Sequence, residues 1–201
     1  MKTIALSLII ASTAFIFGCN QETSAPEIET IEETEDLSGP TPLEMGQTIA
    51  TKTQGILGKN LMQAIAENGP EHAVSFCSTK AISLTDSMAV DLNASVKRVS
   101  DKHRNPNNTA NETELEYIKS AKEALIAGNA PEPTLRTHDE KYIGYYPIVT
   151  NQMCMKCHGD PNSEIAPATL SKLNTLYPND MATGYQPNEL RGIWVVEMNK
   201  K

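Results

Sequence analysis

Residues 151–160 read NQMCMKCHGD, and Cys154, Cys157 and His158 within them constrain the fold more than any other feature. Two thiols three positions apart, followed directly by an imidazole, suit covalent attachment of a haem. The thiols add to its vinyl groups and the imidazole lies under the iron. A chain that does this must fold around a large flat group. The competing readings are a partial zinc site and a structural disulfide. Zinc wants four ligands, usually with a second Cys or His pair, and His72, His103 and His138 are isolated from one another. The pattern therefore predicts one covalently bound haem c, with thioethers from Cys154 and Cys157 and His158 as an axial iron ligand.

The N-terminus places the chain. Lys2 precedes IALSLIIASTAFIF, an apolar run of signal-peptide length that is short for a membrane span. It ends at IFGC, which matches a lipoprotein signal covering residues 1–18, cleaved to leave Cys19 lipid-modified. The other reading is an ordinary signal peptide with an incidental Cys19. Residues 20–42 hold seven acidic and no basic side chains, no aromatic residue and three prolines. Such a segment buries too little surface to offset its ordering entropy, so 19–42 is expected to be a disordered acidic tether. Without it, residues 43–201 carry 18 acidic and 16 basic side chains, close to neutral, which argues against a nucleic-acid partner. That length suits one compact domain.

Within 43–201, the spacing of Leu57, Leu61 and Ile65 predicts a helix over 43–68, stopped by Gly69 and Pro70. A second helix from Pro70 would carry Ala73, Cys77, Ala81, Leu84 and Met88 on one face. SVKRVS at 95–100 resembles a short strand, 101–111 a loop, and ETELEYIKSAKEALIAG an amphipathic helix ending at Gly128. KYIGYYPIVT has strand composition, with Pro147 marking an edge or a strand end. PATLSKLNTLY reads as a helix and LRGIWVVEM as a buried last strand. The sum is an α+β domain, a small antiparallel sheet with helices packed on one side.

A second axial ligand must come from His72, His103, His138, one of seven methionines after Met1, or Cys77. His72 opens a helix, His103 lies in a basic run and His138 in RTHDEK, so all three read as surface histidines. With Cys19 lipidated and Cys154 and Cys157 bound to haem, Cys77 is left over, and a spare thiol invites mispairing in an oxidising compartment. Spacing alone leaves two readings of it, a small buried hydrophobe or an iron ligand. Lys97, Arg98, Lys102 and Arg104 form the densest basic cluster. Arg98 or Arg104 could pair with a haem propionate, or the cluster could be a solvated face. Tyr145, Tyr146, Tyr185 and Trp194 could line a pocket or simply be core.

SFCSTKA, VKRVSDKHRNPNN, PIVTNQMCMKCHGD and NDMATGYQPNELRG occur in that order. Together they resemble the PAS-like single-haem c-type cytochrome family of exported bacterial proteins, also found as the sensory portion of some signalling proteins. The resemblance covers about residues 45–198. It implies a PAS-like fold, a small antiparallel sheet flanked by helices, and it implies Cys77 as the axial ligand opposite His158. Ala110 and Asn179 depart from the pattern, where a proline and a glycine are usual.

A thiolate opposite an imidazole stabilises ferric over ferrous iron and predicts a low potential. The expectation is a non-enzymatic electron carrier, lipid-anchored through Cys19 in the bacterial periplasm, at the outer membrane given Asn20, and working with a redox partner protein. The alternative is a haem-based redox or ligand sensory module that signals to a separate protein. A peroxidase is disfavoured, because no distal His/Arg pair is evident.

Overall fold

The computed structural model describes residues 39–91 and 94–200, the side chains of 80–91 excepted. The signal peptide 1–18, Cys19 and nearly all of the tether lie outside the described residues, as do the side chains of Ala81, Leu84 and Met88. Residues Ser38–Lys201 form one compact unit.

Four strands make one antiparallel sheet, ordered β1-β4-β3-β2. β1 (Ser95–Val99) pairs with β4 (Leu190–Asn199), which pairs with β3 (Lys141–Val149), which pairs with β2 (Thr134–His138). The fold is thus α+β. β2 stops opposite Tyr145, so at Pro147 β3 has a neighbour on one flank only. Its missing N–H is tolerated there.

Helices cover both faces of the sheet, not one side as the sequence suggested. The reason lies in β4, which is apolar in both registers. Ile193 and Val195 join Tyr145, Tyr117, Ile118 and Ala121 in one cluster, beneath α2 (Glu112–Ile126). Trp194, Val196 and Met198 join Tyr146, Ile49 and Ala50 in the other, beneath α1 (Pro42–Asp91). α2 starts in a capping box: Asn111 Oδ1 accepts the Glu114 N–H at 2.9 Å, and Glu114 Oε2 accepts the Asn111 N–H at 2.8 Å. Such a cap is worth about 1 kcal/mol. Glu114 is buried and ion-paired with Lys97 at 2.7 Å.

α1 is two helical segments joined by a kink. Asn68 and Gly69 leave helical geometry, and Gly69 sits at φ +78°, a conformation glycine adopts without a Cβ penalty. Pro70 then opens the second segment, as the sequence predicted. The first segment is locked to the sheet at Tyr146, whose hydroxyl donates to Leu43 O at 3.0 Å. A Cβ on Gly46, or on Gly144 in β3, would overlap that phenol ring. Trp194 Nε1 donates to Gln54 Oε1 at 3.1 Å a few turns along. The second segment carries Cys77 towards α4 (Pro167–Leu176), where Val74 packs with Ile165, Leu173 and Cys157.

Candidate haem site

The Cys-x-x-Cys-His motif forms two short turns. Asn151 starts them: its Oδ1 accepts the N–H groups of Met153 at 2.9 Å and Cys154 at 3.3 Å. The first turn is Gln152–Cys154, and α3 (Met155–His158) continues it. One helical turn puts Cys154, Cys157 and His158 around a common face. Met155 points inward, buried against Ala182 and Tyr185. Just before the motif, buried Thr150 ties the end of β3 to the approach to β4. Its hydroxyl lies 2.6 Å from Gln186 O and accepts the Glu189 N–H at 2.9 Å.

The segment 179–186 runs alongside the motif and fixes it. Gly184 N donates to Gly159 O and Tyr185 N to His158 O, both at 2.9 Å. His158 Nδ1 lies 2.7 Å from Ala182 O. A carbonyl can only accept, so Nδ1 carries the proton and Nε2 keeps its lone pair. Burial, then the charges of Arg104 and Arg191, hold the His158 pKa well below the usual imidazole range. The ring is a neutral donor in a fixed orientation. The Tyr185 ring meets it edge-on, with centroids 6.2 Å apart and planes at 83°.

Among the described residues Cys77, Cys154 and Cys157 are free thiols. Among the described residues no group of three His, Cys, Asp or Glu side chains is arranged to hold a metal ion alone, which leaves the zinc reading without geometric support. The second helical segment brings Cys77 into the neighbourhood of the motif. Burial pushes its thiol up, and the charges of Arg98 and Arg104 pull it partly back. Burial likewise raises Cys157, with Arg104 opposing and Cys77 adding to the rise.

The basic cluster that the sequence shows as one run is divided by the fold. Lys97 turns to Glu114. Arg98 lies on the α1 face of the sheet with its guanidinium 5.9 Å from the Trp194 ring. It touches solvent, yet protein surrounds it closely enough to depress its pKa. Lys102 Nζ donates to Thr183 O at 2.9 Å and sits 4.4 Å from the Tyr185 ring centroid. Arg104 is engaged within the protein. Its Nε donates to Asp180 Oδ2 at 2.9 Å, and one terminal nitrogen donates to Cys157 O and to Ala182 O.

Sequence reasoning passed over Arg191, Asp180 and Ala182. Arg191 donates to Lys102 O at 3.1 Å and stacks 5.5 Å from the Tyr185 ring. Burial pushes its pKa down to about 10, and its Nε is buried with no hydrogen-bond partner among the described residues. The only signal for these residues is their place in NDMATGYQPNELRG. His72 and His138 are exposed, and His103 is half-buried beside Thr109, with Nδ1 and Oγ1 3.2 Å apart. Tyr145, Tyr146 and Trp194 are core, whereas Tyr185 borders His158.

The residues present fit a haem. Two free thiols and an oriented neutral imidazole share one turn. Arg98, Arg104 and Arg191 gather nearby with one ion-paired carboxylate between them among the described residues, Asp180. That positive surplus suits an anionic group such as a pair of propionates or a thiolate.

The model of the family described as "Tll0287-like: Tll0287" matches residues 22–199. The chain belongs to the Tll0287-like family. A solved structure described as the cyanobacterial heme-protein Tll0287 is similar to this chain with a TM-score of 0.58 and 19% identity. The similarity covers 81% of this chain and 98% of that one, and at that identity it speaks for the fold. No curated protein matches the chain.

Proposed function

We propose that this protein is a single-haem c-type cytochrome with a PAS-like fold that carries single electrons. In this reading it is tethered through a lipid on Cys19 to the outer membrane, facing the periplasm, and exchanges electrons with a redox partner protein without catalysing a reaction of its own. The observation that carries the haem reading is the 2.7 Å contact of His158 Nδ1 with Ala182 O. It leaves Nε2 available beside two free thiols on the same turn. That the similar structure is a heme-protein supports the same reading.

A haem held here supplies a one-electron ferric/ferrous couple. The protein's own groups do the rest. Cys154 and Cys157 hold the ring, and His158 presents a lone pair from a fixed direction. Cys77 would supply a second ligand, a sulfur that would favour ferric iron. Arg98, exposed on the α1 face of the sheet, would pair with a propionate. Ligation by both His158 and Cys77 would oblige an outside molecule to displace a side chain before binding, which would favour electron transfer over chemistry at the iron.

Absorption and EPR spectra of the full-length protein, expressed with a covalent haem-attachment system, test this. The expected result is haem that survives acid-acetone extraction, a low-spin ferric signal with thiolate character, and reversible one-electron cycling. Extractable haem, or none, overturns the reading. Rapid binding of carbon monoxide with a change in partner association would favour the sensory alternative.

A further inference from the structure

The Arg104–Asp180 pair stands apart from every other ion pair described. Both side chains are largely buried, at 14% and 7% exposure, whereas Lys97, Lys122, Arg136 and Lys141 remain a third or more exposed in theirs. Arg104 touches two parts of the site at once. It holds the carbonyl of Cys157 inside the motif, and it donates to Ala182 O at 3.3 Å, the carbonyl that orients His158. Asp180 is fixed from its other side, where Oδ1 accepts the Ala182 N–H at 2.8 Å. The four groups form a chain: Asp180 carboxylate, Arg104 guanidinium, Ala182 carbonyl, His158 imidazole.

We propose that Arg104 and Asp180 are positioning residues that set the electrostatic potential at the proposed iron, Arg104 raising it and Asp180 attenuating that rise. This rests on the haem reading above. The charge of Arg104 lies close to the proposed iron, since its guanidinium donates to the carbonyl of Cys157 and to Ala182 O, the acceptor of His158 Nδ1–H. By donating to Ala182 O it also draws on the lone pairs that His158 Nδ1–H would use, so the imidazole gains less anionic character. Both effects disfavour the more positive ferric state. A buried guanidinium acts strongly because little water screens it, and Asp180 tempers it by ion pairing. A purely structural clamp predicts lost stability on removing either partner. An electrostatic device predicts opposite shifts in potential.

The test is a spectroelectrochemical titration of the full-length haem-loaded protein in detergent, with dithionite as electron donor and ferricyanide as acceptor. The step read is ferric haem plus one electron giving ferrous haem. Wild type, Arg104→Gln, Arg104→Lys and Asp180→Asn are compared after covalent haem is confirmed on a denaturing gel. Asp180→Asn removes the charge, keeps one acceptor oxygen for the Ala182 N–H, and should move the equilibrium about tenfold towards ferrous, roughly 59 mV upward for one electron. Arg104→Gln should move it comparably towards ferric, and Arg104→Lys should stay near wild type. If Arg104→Gln fails to accumulate, the upward shift of Asp180→Asn decides. Haem attached with potentials unmoved, or shifted in the same direction, overturns this inference alone. A wild-type chain without covalent haem overturns the electron-carrier reading and this inference together.

Discussion

The face of the sheet under α2 and the assembly around His158 are built on different principles. Under α2, Tyr117, Ile118, Tyr145, Ile193 and Val195 pack as an apolar layer, and its buried acid, Glu114, has a lysine and a cap to satisfy it. Around His158, backbone carbonyls and the Arg104 guanidinium hold short turns in place, with Asp180 ion-paired to Arg104. Burying charge costs free energy unless it is matched. The first region is complete as the bare chain. In the haem reading, the second is balanced when an anionic group joins it. The difference separates a region that supplies stability from one that spends some of it on a site.

The contrast is broken most directly at the thiols. Changing both Cys154 and Cys157 to Ser should abolish covalent haem, read as loss of haem stain on a denaturing gel, and lower the melting temperature while the sheet's far-ultraviolet circular dichroism persists. If the melting temperature does not move, the assembly around His158 needs no bound group.

Cys77→Ser should have the next largest effect. It replaces a strong donor by a weak one, so the ferric EPR spectrum should change and the potential should rise. Fold stability should fall by no more than about 1–3 kcal/mol, the cost of an unpaired buried hydroxyl. An unchanged EPR spectrum would make Cys77 a packing residue.

Gly46→Ala probes the opposite character. Its methyl would collide with the Tyr146 ring, and overpacking costs typically 1–3 kcal/mol. Denaturant unfolding should show that loss while the haem spectrum stays as in wild type. A shifted spectrum would mean that the two regions are coupled through α1.

The smallest effect is alkaline. Burial holds Tyr117 and Tyr146 up to about 12, against an ordinary value near 10. Their neutral forms are favoured by folding, so this contribution is intact below pH 10 and is lost as pH rises towards 12. Stability should decline by on the order of 1–2 kcal/mol per tyrosine across that window. The two rings lie on opposite faces of the sheet, so Tyr117→Phe and Tyr146→Phe should each remove part of the decline. If only one does, one face opens before the other.

Most elements were legible because local signals agreed with the final packing. Gly69 and Pro70 broke α1 where expected, and Asn111 with Glu114 capped α2. β2 escaped notice because TLRTH is largely exposed and has no apolar alternation; His138, an exposed histidine as expected, ends that strand. Coverage of both sheet faces was legible in IWVV, where adjacent apolar residues must point opposite ways, but it was not read so. The motif thiols and His158 were evident from spacing. The employment of Arg104 was not, because Asp180 lies 76 residues away in sequence and the other acceptors are backbone carbonyls that no side-chain pattern reveals.

The anchorage of α1 at Tyr146 has a mechanical consequence. Any pull arriving along the chain from residues before Pro42 meets the Leu43 carbonyl held by Tyr146 and the Gly46 backbone seated on the same ring. Trp194 gripping Gln54 is a second restraint. Load is thus passed into β3 and β4, the centre of the sheet, before it reaches the kink at Gly69. Cys77 lies beyond that kink, so its sulfur can keep its position while the chain upstream is tugged.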